Sequence, residues 1–497
     1  MSISASDPPS LSGDLGLLGL IPAPSPDDDR PDGPRRARAE TPYADLGPWI
    51  PRQPEPPTGS QIDWQLVVAL RRQAAEHLSH AADEWRSTRG TPMPDEDRRV
   101  RGRAIIRAVV HARAQLLSEQ GEALWALETE TRYADAVESA IFGYGRMQPL
   151  FEIPGAENVE IHGHDTVTVQ YGDGRRESHP PVADSDEELV EAVRFLGETA
   201  TPSRPFDDAH PTMTLALGNR FRLHAIGFGL SYRPSIVIRQ HLLTDVTLAD
   251  LARDGTVPRP VAELLHSAVR AHKSIVISGD QGAGKTTLLR ALIDAIPPTE
   301  RFGTLETDYE LLTHLNERRR NMLALQARIG MGESADGRAL GSYTVADLIP
   351  EALRQNLSRL IVGEVRGEEA GAMFEAMQAG AGTLSTTHSH SSASTIDRLA
   401  ARVAQGGVLG MDEAMRQIAH HIDLIVHVVL RDDVWRGGRR RRYVSEVRRL
   451  TGSLEAGRPT THLVYRAETP SQPELFQPDA AIAEELAPFR QGSPWGP

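Results

Sequence analysis

The chain has 497 residues, no cysteine and a formal net charge of -14, with 68 Asp and Glu against 54 Lys and Arg. The lack of cysteine excludes disulfides, thiolate zinc sites and cysteine nucleophiles, and the acidic balance argues against broad coating of nucleic acid. No run of about 18 apolar residues occurs, so no transmembrane segment is predicted; the N-terminus lacks a basic start followed by an apolar run, so no signal peptide is predicted either, and a soluble cytoplasmic protein is the expectation.

Residues 1–60 hold 13 of the 35 prolines, together with Asp27-Asp28-Asp29 and Arg35-Arg36, and few large apolar residues. That composition predicts a disordered tail. Over 61–145, Trp64, Leu66, Val67 and Leu70, then Ile105, Ile106, Val109 and Val110, recur at helical spacing. They predict two or three amphipathic helices, broken near Gly90-Thr91-Pro92 and Pro94. Over 146–245 the period shortens. Val159 to His162 and Val167 to Tyr171 alternate about Gly163 and predict a hairpin. A helix is predicted from Ser185 to Glu198, with Asp186, Glu187 and Glu188 in its first turn, and further strands over 212–217, 221–226 and 235–239. This is a small α+β domain. A linker around 241–256 leads into an α/β domain assigned to 246–468, and the Pro- and Gly-rich residues 469–497 are expected to be a second tail.

The segment Gly279-Asp280-Gln281-Gly282-Ala283-Gly284-Lys285-Thr286 reads GxxxxGK[ST], a phosphate-binding loop. The glycines let backbone N–H groups turn toward phosphate oxygens, Lys285 can reach the β and γ phosphates of ATP, and the Thr286 hydroxyl can ligate Mg2+. A short apolar strand, Lys273 to Ser278, precedes it. A helix running on from Thr287 to Ile293 follows, and its positive end would face the phosphates.

Four later segments supply what such a loop needs. Arg359-Leu360-Ile361-Val362-Gly363-Glu364 is an apolar strand ending in an acid, which can hold Mg2+ or orient water. Gly303 to Glu306 is a strand ending in Glu306, Asp308 and Glu310, carboxylates that near a metal-bound triphosphate can fix the ion and water; on the residues alone the segment reads first as a solvated acidic loop. Gly382 to His388 is a small-residue strand, entered through Gly380-Ala381, that delivers His388 toward a γ-phosphate. Between them, Ala370, Met373, Phe374 and Met377 lie on one face of a helix over 367–380 and read as core. The run Arg439-Arg440-Arg441-Arg442 lies between two alternating segments and reads as a hairpin turn with a solvated face.

The order phosphate loop, TxExxxEL (304–311), LIVGEVRG (360–367) and STTH (385–388) resembles the type II/type IV secretion ATPases, nearest the CpaF-like branch that serves Tad pili and its conjugative relatives. Gly143 to Leu150 is similar to that family's GxGPLEPL entry. Arg222-Leu223-His224-Ala225 is similar to its RVNA, Ile236-Val237-Ile238-Arg239 to its LTIRRF, and Leu353-Arg354 to the start of its LRxRPDR. The resemblance implies a RecA-like ATPase domain behind a PAS-like α+β domain, assembled as a homo-hexamer that works on inner-membrane platform proteins. It implies that Arg222 and Arg239 reach the nucleotide phosphates from the first domain, that Arg354 belongs to the nucleotide site, and that Glu306, Glu310, Glu364 and His388 are catalytic, with Thr286 and Glu364 on the metal. Two departures stand out: the middle acid of the acidic box has moved to Asp308, and Pro350 is expected to interrupt the helix before Arg354. The absence of cysteine excludes the tetracysteine insertion of type II relatives. The expected function is ATP hydrolysis that powers pilus assembly or secretion, without direct nucleic-acid binding. The rivals are a DNA-translocating or helicase-like motor and a regulatory nucleotide-binding protein of low turnover.

Overall fold

The computed structural model of the chain describes residues 62–490 apart from 122, 201–202, 219, 329, 331–333, 336–337, 368, 379–381, 408 and 470–471. The tail expected at 1–60, the Gly380-Ala381 pair and residues 491–497 lie outside the described residues.

Three helices come first: α1 (Trp64–Arg89), α2 (Asp95–Glu119) and α3 (Leu127–Phe142). The Asp63 side chain accepts from the N–H groups of Gln65 and Leu66 and so starts α1, while Gly90, at φ 69°, stops it in a left-handed conformation that costs glycine little. Val67, Leu70, Ile106, Val110 and Val137 make one shared core.

A single turn, α4 (Gln148–Phe151), leads into β1 (Ala156–His162), β2 (Thr166–Tyr171), β3 (Arg176–His179), α5 (Asp186–Thr199), β4 (Thr212–Leu217), β5 (Phe221–Ile226) and β6 (Ser235–Gln240). The strands form an antiparallel sheet in the order β3-β2-β1-β6-β5-β4. Val159, Ile161, Leu223, Ile236 and Ile238 pack under Leu189, Val193 and Leu196 of α5. The register sets Arg222 of β5 directly opposite Arg239 of β6.

The expected linker contains a short helix, α6 (Leu248–Arg253), started by a reciprocal cap between Thr247 and Asp250. Then follow α7 (Arg259–Arg270), β7 (Ile275–Gly279), α8 (Lys285–Asp294), β8 (Phe302–Glu306), β9 (Met322–Gln326), the small pair β10 (Ser334–Ala335) and β11 (Arg338–Ala339), α9 (Val345–Leu353), β12 (Arg359–Val362), α10 (Glu369–Gln378), β13 (Gly382–His388), α11 (Ser392–Gln405), α12 (Met411–His421), β14 (Leu424–Asp432), β15 (Arg440–Glu455), β16 (Arg458–Thr469), β17 (Gln472–Phe476) and α13 (Ala480–Leu486). A nine-stranded sheet runs β17-β16-β15-β14-β7-β13-β12-β8-β9. Its strands are parallel from β14 to β9 and antiparallel from β14 to β17.

The central strands read as unbroken apolar and small-residue runs because both faces are covered. Ile275, Ile277, Ile361 and Leu384 face a core built with α7 and α8. Val276, Leu305, Leu360 and Val362 face a second core built with α9 to α12, where Ala370, Met373, Phe374 and Met377 are buried as the helical stripe predicts.

Two expectations are corrected here. The region assigned to a second tail at 469–497 contains β17, paired with β16, and α13, whose Ile482 and Leu486 are buried in the first of these cores. Its proline and glycine content hid two apolar anchors one helical turn apart. Pro350 does not interrupt its helix. It lies inside α9, which the Thr344–Asp347 reciprocal cap and the buried Val345, Ile349 and Ala352 hold together despite the lost N–H.

Arg359 opens β12 with its side chain fully buried. Its guanidinium donates to Glu300 at 2.8 Å and to the Val269 carbonyl at 2.8 Å, joining the sheet to the end of α7. Arg359→Ala should therefore destabilise the fold by about 3–5 kcal/mol, since it strands the Glu300 carboxylate. Chemical denaturation measures this, and a loss under about 1 kcal/mol would mean the pair contributes little.

Candidate functional site

β7 ends at Gly279, and the chain turns through Asp280 to Gly284 before α8 begins at Lys285. Gly279 (φ 153°), Gly282 (φ 74°) and Gly284 (φ 96°) take conformations that side chains rarely adopt. A Cβ on Gly279 would also stand 2.2 Å from the carbonyl oxygen of Val428 on β14. Lys285 is buried and folds back over the loop. Its Nζ donates to the carbonyls of Gly279 (3.1 Å) and Asp280 (3.0 Å) and to His388 Nδ1 (3.2 Å). Burial is the main reason its pKa falls to about 8, so the ammonium is short of compensating negative charge.

His388 pairs in register with Gly279 across the β13–β7 ladder. An ammonium can only donate, so Nδ1 accepts and the ring carries its proton on Nε2. Nε2 lies 2.9 Å from Glu364 Oε1, off the hydrogen-bonding direction, which leaves that oxygen buried without a hydrogen-bond partner. Burial, then the Lys285 charge, lowers the His388 pKa, so the ring is neutral at pH 7. The other Glu364 oxygen takes a 2.6 Å bond from Arg366. Burial works to raise the Glu364 pKa, but that bond and the charges of Arg366, His388 and Lys285 outweigh it and hold the acid ionised.

Glu306, at the end of β8, is buried, and its Oε1 accepts from the N–H groups of Glu310 (2.9 Å) and Leu311 (2.7 Å). The carboxylate thereby shapes the acidic loop, which closes with Leu312 at φ 56°. Glu310 in turn accepts from Arg222, and Asp308 lies 3.4 Å from the same guanidinium.

A cavity of about 490 Å³ lies between the two sheets. Loop residues Gln281 to Thr287, with Glu310, Glu364, Thr386 and His388, line one side; Arg222, Arg239 and His241 line the other. Arg222 is spent on the acidic loop. The Arg239 side chain makes no hydrogen bond or ion pair among the described residues. Burial, with the charges of Arg290, Arg239 and Arg222, pushes the His241 pKa down to about 3.

The structure thus brings together all but one of the nucleotide-site and catalytic residues expected from the sequence; Gly279 and Asp280 form the loop's entrance, and Glu306 sits beside the cavity next to Thr286, Glu310 and Glu364 rather than in its lining. The exception is Arg354, which sits exposed at the end of α9, pairs with Glu351 at 2.8 Å and does not line the cavity. Its family position is retained, but its side chain is directed along its own helix. The basic run stands at the β14–β15 hairpin as read, with Arg439 and Arg441 exposed, but its face is only partly solvated. Arg440 to Arg442 belong to β15; Arg440 and Arg442 are largely buried, and both pair with Glu157 of β1. Sequence reasoning also missed Arg366 and Arg290. Arg366 sits inside the LIVGEVRG motif. Arg290 was hidden in an apolar helix; its guanidinium donates to the Leu243 carbonyl at 2.7 Å and to the Glu310 carbonyl.

Burial raises the Glu306 pKa from 4.5 to about 7 despite its two backbone donors. The native state therefore holds a proton that the unfolded chain releases between those values, and stability falls as pH rises from 4.5 to 7. Glu306→Gln keeps the accepting oxygen and removes the titration. Denaturation at pH 5 and pH 8 should show the wild type losing on the order of 3 kcal/mol more than the variant. Parallel pH profiles would place the titration elsewhere.

Residues 188–436, half of the chain, match the family model for Type II/IV secretion system protein. A protein of Mycobacterium tuberculosis (strain ATCC 25618 / H37Rv), provisionally named conjugal transfer protein Rv3659c, is 32% identical over 339 residues, covering 64% of this chain and 89% of its own length. The type IV secretion system protein VirB11 of Brucella suis biovar 1 is 27% identical over 264 residues, 48% of this chain and 70% of that protein. The solved structure of the Legionella pneumophila ATPase DotB superposes at a TM-score of 0.42 with 22% identity, over 61% of this chain and 78% of that one, a fit too loose to carry weight. With half its length in the family model and a relative matched along nearly its whole length, the chain belongs to the Type II/IV secretion system protein family.

Proposed function

We propose that the chain is a cytoplasmic, CpaF-like ATPase that hydrolyses ATP and converts the energy into relative movement of its two sheets, driving pilus assembly or secretion. The reading treats the nine-stranded sheet as a RecA-like motor domain and the antiparallel sheet as a PAS-like regulatory module. One observation carries it: a phosphate loop, an ionised acid and a neutral histidine meet at the carboxyl ends of adjacent strands, facing an arginine on the other sheet that has no anionic partner among the described residues. Family membership supports the same reading.

The donor set fits a nucleotide with one hard cation. Thr286 lines the cavity, and Glu364 Oε1 is buried without a hydrogen-bond partner. Among the described residues no three His, Asp or Glu side chains converge on a metal site; an ion on Thr286 and Glu364 would take its other ligands from phosphate and water. Mg2+ held by Thr286 and Glu364 would neutralise charge on the β and γ phosphates.

Lys285 leaves its carbonyl partners for phosphate oxygens, a stronger, charge-assisted bond. Glu364, ionised, accepts from the attacking water and aligns it. His388 bridges Lys285 and Glu364 and reports an arriving phosphate to both. Arg239 supplies positive charge when the first sheet closes on the ligand, which makes turnover depend on sheet position. A site completed by a mobile module is suited to a ring, and a homo-hexamer docked on inner-membrane platform proteins is the assembly we propose.

Lys285→Ala should abolish phosphate release and weaken ATP binding. Glu364→Gln should retain binding and slow turnover about 10²-fold. Normal turnover by the lysine variant would end the phosphate-loop reading; lost binding in the glutamine variant would make Glu364 a metal anchor only. Light scattering with a non-hydrolysable ATP analogue should give a hexameric mass, and a monomer whose specific activity is flat with concentration would exclude the ring.

A further inference from the structure

One carboxylate stands where a triphosphate site has no use for it. Glu157, on β1, is largely buried and lines the cavity beside the loop, where its charge repels phosphate. Two guanidinium groups of β15 hold it. Arg442 donates to Glu157 Oε1 at 2.6 Å, and Arg440 lies 3.6 Å from Oε2. The Nε of Arg442 also donates to the Gly282 carbonyl in the middle of the phosphate loop, at 2.7 Å. A Cβ on Gly284 would meet the Arg442 side chain at 3.4 Å, and one on Gly282 would meet Arg440 at 3.6 Å. The backbone N–H of Arg440 donates to the Asp173 carbonyl in the β2–β3 turn at 3.3 Å, so the start of β15 is wedged between the loop and the first sheet.

We propose that Glu157 and Arg442 are positioning residues that form a latch, through which the position of the first sheet sets the shape of the phosphate loop. The peptide unit is planar, so fixing the Gly282 carbonyl also fixes the Ala283 N–H. That N–H donates to the Asp280 carbonyl at 3.2 Å and closes the turn. The rigid fork of arginine sets its Nε on the carbonyl and a terminal nitrogen on the carboxylate, whereas a lysine would have one nitrogen to serve both positions. Movement of the first sheet withdraws Glu157, frees Arg442 and releases the turn. Only the consequence for ligand affinity rests on the nucleotide reading above.

The test compares wild type, Glu157→Gln, Arg442→Lys and the double variant of the full chain. Without nucleotide, hydrogen–deuterium exchange of the peptide over 279–289 should be faster in all three variants; unchanged exchange overturns the latch whatever the ligand is. A fluorescent non-hydrolysable ATP analogue should bind each single variant about fivefold more weakly, and the double variant no worse than the weaker single, as for residues acting as one unit. The rise should appear in KM rather than kcat. A carboxylate acting only as a charge gives the opposite sign, since its removal tightens binding; tighter or equal binding by Glu157→Gln, or losses that multiply in the double variant, overturn the proposal. Failure of the wild type to bind the analogue falls on the ATPase reading, while the exchange measurement still decides the latch.

Discussion

The parallel pairing of β7, β13, β12 and β8 is the constraint on which the rest of the molecule depends. His388 is held level with Gly279, and Val362 level with both Leu305 and Ser385, so the loop, the histidine, Glu364 and Glu306 emerge at one edge of the sheet. A slip of one residue in any of these ladders would turn its side chains to the other face. Burial on both sides makes such a slip costly, because β7, β12 and β8 each divide their apolar residues between two separate cores. Site precision is thus a by-product of core packing. Ligand sites at the carboxyl ends of strands in open α/β sheets follow the same logic.

Burial then sets the electrostatics of that edge. The Lys285 ammonium is pushed toward neutrality at about pH 8, Glu306 toward protonation at about pH 7, and His241 is left uncharged. All three shifts have desolvation as their first cause. At the same time the first sheet sets Arg222 and Arg239 side by side on neighbouring strands, an arrangement that is repulsive without an anion between or beside them. Arg222 is relieved by Glu310 and Asp308. Arg239 is not, and it faces the loop across the cavity. With more cationic side chains than carboxylates in its lining, the cleft gives a polyanion favourable partners, Arg239 first among them.

Much of this was legible in the sequence, for reasons that differ by element. The β7–loop–α8 unit is fixed by covalent spacing: three glycines in left-handed or extended conformations and a lysine at the first helical position admit few other structures. The Ala370–Met377 stripe and the Val159–Tyr171 hairpin announce themselves by period. The failures also have physical causes. β3 reads Arg-Glu-Ser-His, and as an edge strand it needs no apolar alternation. α13 is short, lies among prolines and is stabilised by only two buried side chains. The Arg440–Arg442 segment looked solvated because its partner, Glu157, is 283 to 285 positions away in sequence. Charge pairs carry no periodicity, so no local pattern could show that this run is an interface. Arg354 is the converse case: its position fits a motif, but the adjacent Glu351 on its own helix turns its side chain elsewhere.

The length of β15 has a mechanical meaning. The strand begins with Arg440 and Arg442 at the phosphate loop and continues to Arg449, whose guanidinium binds Asp479, the cap of α13, at 2.6 Å. From Arg440 to Arg449 an extended chain covers about 30 Å. Paired with β14 along this whole stretch and with β16 from Glu446 onward, β15 is loaded in shear when pulled along its axis, so many ladder bonds must yield together rather than one after another. It therefore acts as a stiff tie rod between the nucleotide cleft and the carboxyl-terminal helix. Strain applied at one end can thus be passed to the other without any change of fold along the way.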